Sequence, residues 1–143
     1  MEESMIRQIL ELPKVEAGEY SSLALAYIGD AVYEVVIRTK VMSQGNMQVH
    51  KMHKKSAALV KAPAQAAMIR LLMEELSPEE ETVYRRGRNA KSGTMAKHAT
   101  MTEYRMATGF EALLGYLYLT GRSGRLLELV GNGLKKMGDC HEV

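Results

Sequence analysis

Long stretches of helix-forming residues, bounded by capping and stop signals, restrict the fold of this chain more than any other feature. The longest stretch runs from Ser22 to Met42 without a proline. Ser21 and Ser22 can each cap its start, because a serine oxygen accepts a hydrogen bond from a free N–H of the first turn, and Gly45 can end it. No segment shows the period-two alternation that a half-buried strand needs. The sequence therefore predicts an all-α fold.

Six further helices follow from signals of the same kind. Ser77 and Pro78, followed by Glu80, combine an N-cap, a proline in the first turn and a capping-box glutamate. Thr102 can cap the helix that carries the second long apolar run. The stretch between residues 89 and 102 has no clean period, so we expect a loop there. The expected helices are residues 2–12, 47–60, 63–76, 77–86, 103–119 and 124–137, in a single domain of residues 1–143 with its core at about 21–137.

Composition excludes several classes of protein. Cys140 is the one cysteine among 143 residues, so neither an intrachain disulfide nor a cysteine zinc cluster can form. Acidic residues precede any apolar run at the N-terminus, unlike in a secretory signal. No stretch reaches the ~18 uninterrupted apolar residues of a spanning helix. We expect a cytoplasmic protein with no membrane partner.

The net charge of +2 conceals an uneven distribution of charge. No acidic residue lies between Glu34 and Glu74, or between Glu81 and Glu103, and both segments are rich in Lys and Arg. Such segments suit a polyanion, although solvated surface charge is an alternative for each residue. His50 and His53 lie in the first segment, but zinc would need further ligands nearby, so we favour nucleic-acid contact or a plain surface position.

An acidic residue interrupts the longest apolar helix. Asp30 lies in its middle, and Glu34 follows one turn later on the same face. Two like charges at this spacing repel each other, and an acid in a core-facing helix needs a cation, a donor or a metal as partner. The alternative is that Glu34 pairs with Arg38 and that Asp30 is simply solvated.

A second acid interrupts the apolar helix near the C-terminus. Glu111 is the only charged residue in the segment ATGFEALLGYLYLTG. It aligns with Thr108 and Gly115, and small residues beside it would let another helix or a phosphate approach closely. Alternatively, Glu111 accepts hydrogen bonds from the hydroxyls of Tyr33 or Tyr118 inside the core.

Asp30 and Glu111 together suggest a metal site. Oxygen ligands suit Mg²⁺, which keeps several waters and often takes one or two carboxylates plus substrate phosphate oxygens. Such an ion can activate water for in-line attack on a phosphodiester.

Two segments that carry these acids resemble the motifs of the ribonuclease III family. LALAYIGDAVYE, residues 23–34, resembles the family's signature helix, ERLEFLGDAVLE, and FEALLGYLYL, residues 110–119, resembles its second acidic motif, DTVEALIGAIYLD. RGRNAKSG, residues 86–93, and the short chain match the mini-ribonuclease III branch of that family best. The similarity extends from about residue 23 to residue 137.

The resemblance implies roles for individual positions. The catalytic, metal-binding acids of the family fall on Asp30 and Glu111. Three further acids of the family's usual pattern are absent, because Leu23, Ala26 and Thr108 stand at their positions. This departure argues against a four-carboxylate site and a second metal ion, but the mini branch shares it and is regarded as active.

The resemblance also implies a ribonuclease III-type helical endonuclease domain that is homodimeric and cuts double-stranded RNA. The expected cofactor is Mg²⁺, with Mn²⁺ as a substitute, and the expected substrate is the precursor of large-subunit (23S) ribosomal RNA. It is left open whether a ribosomal protein acts as cofactor. An apolar stripe of the signature helix is the expected dimer interface, with monomer core as the alternative: Leu23, Leu25, Tyr27, Ile28, Val32 and Val35.

We expect RNA binding to come from the catalytic domain, because only a few residues follow the last expected helix, too few for the second, RNA-binding domain of typical ribonuclease III enzymes. Double-stranded RNA is recognised largely by shape, through phosphates and 2′-hydroxyls, which calls for basic groups spread over a face. The two basic segments supply the expected contacts: Lys51, Lys54, Lys55, Arg85, Arg86, Arg88, Asn89, Lys91, Lys97 and His98.

Two other functions compete with the endonuclease. A non-catalytic scaffold that binds double-stranded RNA with the same fold is favoured by the three missing acids and opposed by Asp30 and Glu111. A helical protein-interaction module without an RNA role is opposed by the acid-free basic segments.

Overall fold

The computed structural model describes residues 1–90 and 100–138 of the chain. Within these ranges it contains helices and no strand, which confirms the all-α prediction. Short 3-10 turns lie at Ala17–Glu19 and Met73–Glu75. The α-helices are α1 (Glu3–Ile9), α2 (Ser22–Met42), α3 (Val49–Val60), α4 (Ala62–Leu72), α5 (Pro78–Asn89), α6 (Met101–Leu119) and α7 (Ser123–Lys136).

The predicted start signals of α2 and α5 are confirmed. The side-chain oxygen of Ser21 accepts a hydrogen bond from the backbone N–H of Ala24 at 3.1 Å. At the start of α5, the Ser77 hydroxyl oxygen accepts from the N–H of Glu80, and the Glu80 carboxylate accepts from the N–H of Ser77, which completes a capping box. Local chemistry therefore sets both helix starts.

Other boundaries differ from the prediction by a few residues. The cap of α6 is Thr100 rather than Thr102, because Glu103 lies at the position that completes a capping box with Thr100. Helix α5 continues to Asn89, three residues beyond its predicted end. The single helix predicted at 63–76 divides, since α4 ends at Leu72 and a 3-10 turn follows. The predicted loop at 89–102 falls largely on residues 91–99, outside the described ranges.

Helix α6 is the centre of the fold. It packs against α2, α4, α5 and α7, with its most extensive contact along α2. Phe110, Leu113, Leu114 and Leu117 on α6 have no exposed surface. The ring of Phe110 meets that of Tyr33 edge to face, with centroids 5.6 Å apart. Burial of these side chains supplies the main driving force that holds the other helices around α6.

A buried ion pair fixes α5 against α7. Glu80 is 4% exposed, and its two carboxylate oxygens accept hydrogen bonds from Arg125 at 2.8 and 2.9 Å. Arg125 also donates to the backbone oxygen of Glu75 at 2.7 Å. A guanidinium with several charge-assisted bonds has a fixed orientation, so this cluster sets the relative position of the two helices.

The outer face of α2 carries an exposed apolar ridge. Leu23, Tyr27, Ala31 and Val35 follow each other at four-residue spacing, and all four are exposed. The apolar stripe predicted as a dimer interface or monomer core therefore lies partly in the core and partly on the surface. Leu25 is buried, Ile28 and Val32 are partly buried, and Leu23, Tyr27 and Val35 face outward. In the described ranges, no helix is both long and apolar enough to cross a membrane.

Candidate active site

The site begins with a close crossing of α2 and α6. A Cβ atom added at Gly29 would lie well inside 3.0 Å of the backbone oxygen of Glu111, and one added at Gly115 would meet the backbone oxygen of Leu25 as closely. Real Cβ atoms essentially never show such separations. Two glycines therefore let the two helix backbones touch, and this contact fixes which residues of α2 and α6 become neighbours.

Asp30 and Glu111 are brought together by this crossing. Asp30 follows Gly29 directly in α2, and the backbone of Glu111 lies against Gly29. Asp30 lies close enough to Glu111 to raise the pKa of the Glu111 carboxyl group. Asp30 is exposed to solvent and Glu111 is partly buried. Residues 81 positions apart in the sequence thus form one pair of carboxylates at the surface.

The environment of Glu111 disfavours its negative charge. Burial is the main cause that raises the pKa of Glu111, to about 8, and the nearby charges of Asp30 and Glu34 raise it further. A hydrogen bond donated by Gln65 acts in the opposite direction. A cation placed between Asp30 and Glu111 would relieve this repulsion, which is the condition that carboxylate pairs at metal sites satisfy.

Gln65 is the direct hydrogen-bond partner of Glu111. It lies on α4, is 2% exposed, and its Nε2 atom is 3.0 Å from Oε2 of Glu111. The same Nε2 atom donates to the backbone oxygen of Val60 at 2.8 Å. The alternative predicted from the sequence was that the hydroxyl of Tyr33 or Tyr118 donates to Glu111, whereas the donor seen here is Gln65. The Tyr33 hydroxyl donates to the backbone oxygen of Leu59, at 2.9 Å.

Glu34 forms the ion pair that its spacing predicts. Its Oε1 atom lies 3.0 Å from Nε of Arg38. Its charge nevertheless acts on Glu111, so it lies at the edge of the site. The alternative in which Glu34 pairs with Arg38 is therefore correct. Asp30, which that alternative left simply solvated, has the Glu111 carboxyl group as a neighbour in addition to solvent.

The positions of the three missing acids are occupied by side chains without a carboxylate. Leu23 is exposed and Ala26 is buried. Thr108 is buried, and its hydroxyl donates to the backbone oxygen of Tyr104 at 3.0 Å. Across residues 1–90 and 100–138, no group of three or more His, Cys, Asp or Glu side chains has the arrangement of a metal site. Asp30 and Glu111 are thus a two-carboxylate set.

A recess of about 250 Å³ adjoins Glu111. Its walls come from the junction of α3 and α4 and from the first half of α6. Lys61, at that junction, is exposed. The residues that line the recess are Val60, Lys61, Ala62, Gln65, Tyr104, Ala107, Thr108 and Glu111.

The predicted RNA-binding residues differ in whether other side chains of the protein already engage them. Lys51, Lys54 and Lys55 on α3 are exposed and form no ion pair with any part of the chain that the structure describes. Lys91, Lys97 and His98, predicted from the same pattern, lie outside the described residues.

The cations at the end of α5 are partly engaged. Arg85 pairs with Glu81. Arg88 lies over the ring of Tyr84 at 5.8 Å and donates to the side chain of Asn89. Arg86 is exposed, with no ion pair inside the described ranges. It therefore has the fewest competing contacts of the three arginines.

Gln65 and Lys61 are the site residues that sequence reasoning missed. Gln65 is a polar residue within the segment APAQAAM, where its neighbours are apolar or small. A polar residue in an apolar segment is the same signal that singled out Glu111, so the sequence could have indicated Gln65 as a candidate. Nothing in the local sequence links Gln65 or Lys61 to α6, since their contacts depend on the packing of α4.

Comparison with known proteins identifies relatives along most of the chain. Residues 23–122 match the ribonuclease III domain family. The mini-ribonuclease 3 of Enterococcus faecalis is 47% identical over 126 residues, which cover 87% of this chain and 96% of that protein. The mini-ribonuclease 3 of a Thermoanaerobacter species is 51% identical over 110 residues, which cover 77% of this chain and 78% of that protein.

A solved structure has the same fold. The crystal structure of a protein from Fusobacterium nucleatum superposes with a TM-score of 0.75 at 28% sequence identity. The match covers 83% of this chain and 95% of that chain. The helical arrangement is therefore shared with an experimentally determined protein of similar length.

These relatives decide between the functions that the sequence left open. Proteins of comparable length that are nearly half identical are ribonucleases, which favours the enzyme over a non-catalytic scaffold or an interaction module. Enzymes of the matched family act on double-stranded RNA and generally depend on a divalent metal ion. The chain belongs to the ribonuclease III family and is an endoribonuclease of that type.

Proposed function

We propose that this enzyme cuts double-stranded RNA with Mg²⁺ held by Asp30 and Glu111. The single observation that carries the proposal is the α2–α6 crossing, which brings these two carboxyl groups close enough to interact at the surface. Two acids so close together are unfavourable unless a proton or a cation lies between them. A surface position leaves room for a phosphodiester beside them.

The donor set fits Mg²⁺ rather than a transition metal. Both candidate ligands are carboxylates, and the groups around them offer amide and hydroxyl oxygens rather than imidazole or thiol. When bound, Mg²⁺ supplies an activated water for attack on the phosphorus and neutralises charge that develops on the phosphate. Asp30 and Glu111 would hold and orient the ion. Mn²⁺ has similar ligand preferences, so it should substitute.

The exposed cations would hold the RNA backbone. Lys51, Lys54 and Lys55 on α3 and Arg86 on α5 are exposed and carry no competing ion pair within the described part of the chain. Lys61, in the wall of the recess beside Glu111, would contact a phosphate near the scissile bond. Cations on several helices suit recognition by shape and phosphate position, which is how proteins bind A-form RNA.

The same proposal includes a homodimer and a ribosomal RNA substrate. The exposed ridge of Leu23, Tyr27, Ala31 and Val35 on α2 supports a two-fold interface, since an apolar ridge of this length favours burial against a second copy. The family resemblance supports a substrate in the precursor of large-subunit (23S) ribosomal RNA. A dimer would present two sites, one for each RNA strand.

Cleavage of a long, end-labelled double-stranded RNA tests the proposal. The RNA is incubated with the wild-type protein in Mg²⁺, in Mn²⁺ and in EDTA, and with the Asp30→Asn variant in Mg²⁺. Staggered fragments should form with either metal but not in EDTA. Asp30→Asn should lower the cleavage rate at least about a hundredfold, because an amide does not hold Mg²⁺ as a carboxylate does.

Glu34→Gln is the matched control for Asp30→Asn. It removes a carboxylate one turn away on α2 that already pairs with Arg38. We expect it to cut within a few-fold of the wild-type rate, because the charge of Glu34 influences Glu111 less than burial, Gln65 or Asp30 do. Both variants should bind RNA normally. Cleavage in EDTA, or an Asp30→Asn variant as active as Glu34→Gln, would contradict the assignment of the site.

A further inference from the structure

We infer that Gln65 is a positioning residue of the candidate metal site, which holds the Glu111 carboxylate in the orientation that binds the ion. The inference rests on the proposed function, because it assigns a supporting role at the same site. It concerns a residue on α4 that belongs to neither of the two acidic motifs, which lie on α2 and α6.

The amide group of Gln65 has a determined orientation. Its Nε2 atom donates to two acceptors, the backbone oxygen of Val60 at 2.8 Å and Oε2 of Glu111 at 3.0 Å. A backbone carbonyl can only accept, so turning the amide over would place two oxygens against each other. Val60 therefore fixes Gln65, and Gln65 in turn presents an N–H to Glu111.

This arrangement leaves part of Gln65 unsatisfied. The Oε1 atom is buried and has no hydrogen-bond partner within the described residues. A buried acceptor without a partner is unfavourable, and an apolar side chain of similar length would avoid that cost. The hydrogen bond to Val60 is one reason for a glutamine here, and the hydrogen bond to Glu111 is a second reason that an apolar side chain could not supply.

A donor on one carboxylate oxygen restricts how Glu111 can bind an ion. With Oε2 engaged by Gln65, the Glu111 side chain cannot rotate without breaking the bond, so its carboxylate would meet an ion in one orientation. Groups that orient metal ligands in this way typically change metal affinity 10- to 100-fold when they are removed. We therefore place Gln65 among the groups that determine Mg²⁺ affinity.

Gln65→Met tests this role, because methionine has a similar length and no N–H. Two titrations with Mg²⁺ are made on the full chain: the rate of cleavage of double-stranded RNA, and the rise in melting temperature without RNA. We expect the Mg²⁺ midpoint in both titrations to increase about tenfold. Gln65→Leu replaces the methionine variant if the latter does not fold.

Ile69→Val is the matched control on the same helix. Ile69 has no exposed surface, and its truncation should lower the melting temperature by a few degrees. It should leave the Mg²⁺ midpoint unchanged, since a change of packing alone does not reach Glu111.

The two titrations separate failure of this inference from failure of the proposed function. An unchanged midpoint in the Gln65 variant would overturn the role of Gln65, while wild-type cleavage would still stand. If the wild type bound Mg²⁺ but cut no RNA, the proposed function would fail, and the melting titration would still decide on Gln65. A wild type whose melting temperature does not respond to Mg²⁺ and that cuts no RNA in Mg²⁺ would overturn both.

Discussion

At the scale of single residues, the two candidate ligands have the same chemistry and different surroundings. Asp30 is exposed, whereas Glu111 is partly buried beside Asp30 and Gln65. The pKa of Glu111 is raised to about 8, with burial as its main cause. In the metal-free protein, the ionised form of Glu111 is therefore unfavourable at neutral pH, and a bound cation would remove that cost.

Glu111→Gln should consequently stabilise the metal-free fold while it abolishes cleavage. Because the folded-state pKa lies above the value of about 4.3 in the unfolded chain, the wild type loses stability as pH rises from about 4.3 to about 8. Glutamine has no charge, so the variant avoids this loss. We expect its advantage to be near zero at pH 4 and at least about 1 kcal/mol at pH 8.

Urea unfolding in EDTA at pH 4, 6 and 8 measures this difference. Added Mg²⁺ should reduce or reverse the advantage at pH 8, because only the wild type has both carboxylates to bind the ion. A variant that is less stable than the wild type by the same amount at every pH would show that the charge of Glu111 is not the cause.

At the scale of helices, the crossing of α2 and α6 makes the site. Gly115→Ala should open the crossing, since its Cβ would press on the backbone oxygen of Leu25, which cannot move independently of α2. We expect a loss of about 3 kcal/mol in the free energy of unfolding, with loss of cleavage. Thermal and urea unfolding, together with the cleavage assay, measure the effect.

Gly131→Ala is the control for that substitution. Gly131 also lies inside a helix, α7, but a Cβ added there has no atom within 4 Å. Alanine is the better helix former, so this variant should gain about 0.5–1 kcal/mol. If both alanine variants were equally stable, the backbone contact at Gly115 would have no role in holding the site.

Local signals made most helices predictable and singled out both candidate carboxylates. Contacts between residues far apart in the sequence could not be predicted in this way. Ser21 and Ser77 mark helix starts because a cap depends on neighbours within one turn. Glu111 was recognisable because a charge in an apolar segment is unusual at any packing. The contact between Gln65 and Glu111 joins residues 46 positions apart, and it exists only because α4 packs against α6.

The predicted boundaries that were wrong have two different origins, one local and one in packing. Thr100 and Thr102 are both capable caps, and Glu103 decides between them because it lies three residues after Thr100. The end of α4 at Leu72 has no comparable local signal, since the following Met73–Glu75 continues as a 3-10 turn. Helix ends without a stop residue depend on packing rather than on sequence.

At the scale of the whole molecule, the distribution of charge should govern RNA affinity. Replacing Arg86, Arg88 and Lys91 together by Ala should weaken RNA binding and flatten its dependence on salt. Each phosphate contact that is lost reduces the slope of log affinity against log salt by about 0.9 in B-DNA, and a similar order is expected here. Binding to a labelled duplex at several salt concentrations measures the slope.

A second triple variant is the control. It removes the same number of positive charges at three other positions. Arg7, Lys14 and Lys136 each lie in an ion pair with a glutamate. Their replacement by Ala should leave the salt slope close to that of the wild type. Equal slopes for the two triple variants would mean that net charge alone, rather than the end of α5 and the segment after it, attracts RNA.

The exposed ridge of α2 predicts how the molecule assembles. Val35 is 63% exposed on that ridge, and an isologous interface would bury it twice, once in each protomer. A glutamate at this position would bring two unpaired charges into an apolar contact. Val35→Glu should therefore be a monomer at concentrations where the wild type is a dimer, and staggered cleavage of the two strands should be lost.

Val49→Glu is the matched control for this substitution, because Val49 is 64% exposed on α3, away from the ridge. Its glutamate would lie in the first turn of a helix, where negative charge is favourable. Sedimentation velocity over a range of protein concentrations should find a dimer for this control and for the wild type. A wild type that stays monomeric, or a Val35→Glu variant that stays dimeric, would remove α2 from the interface, and the ridge would then need a different partner.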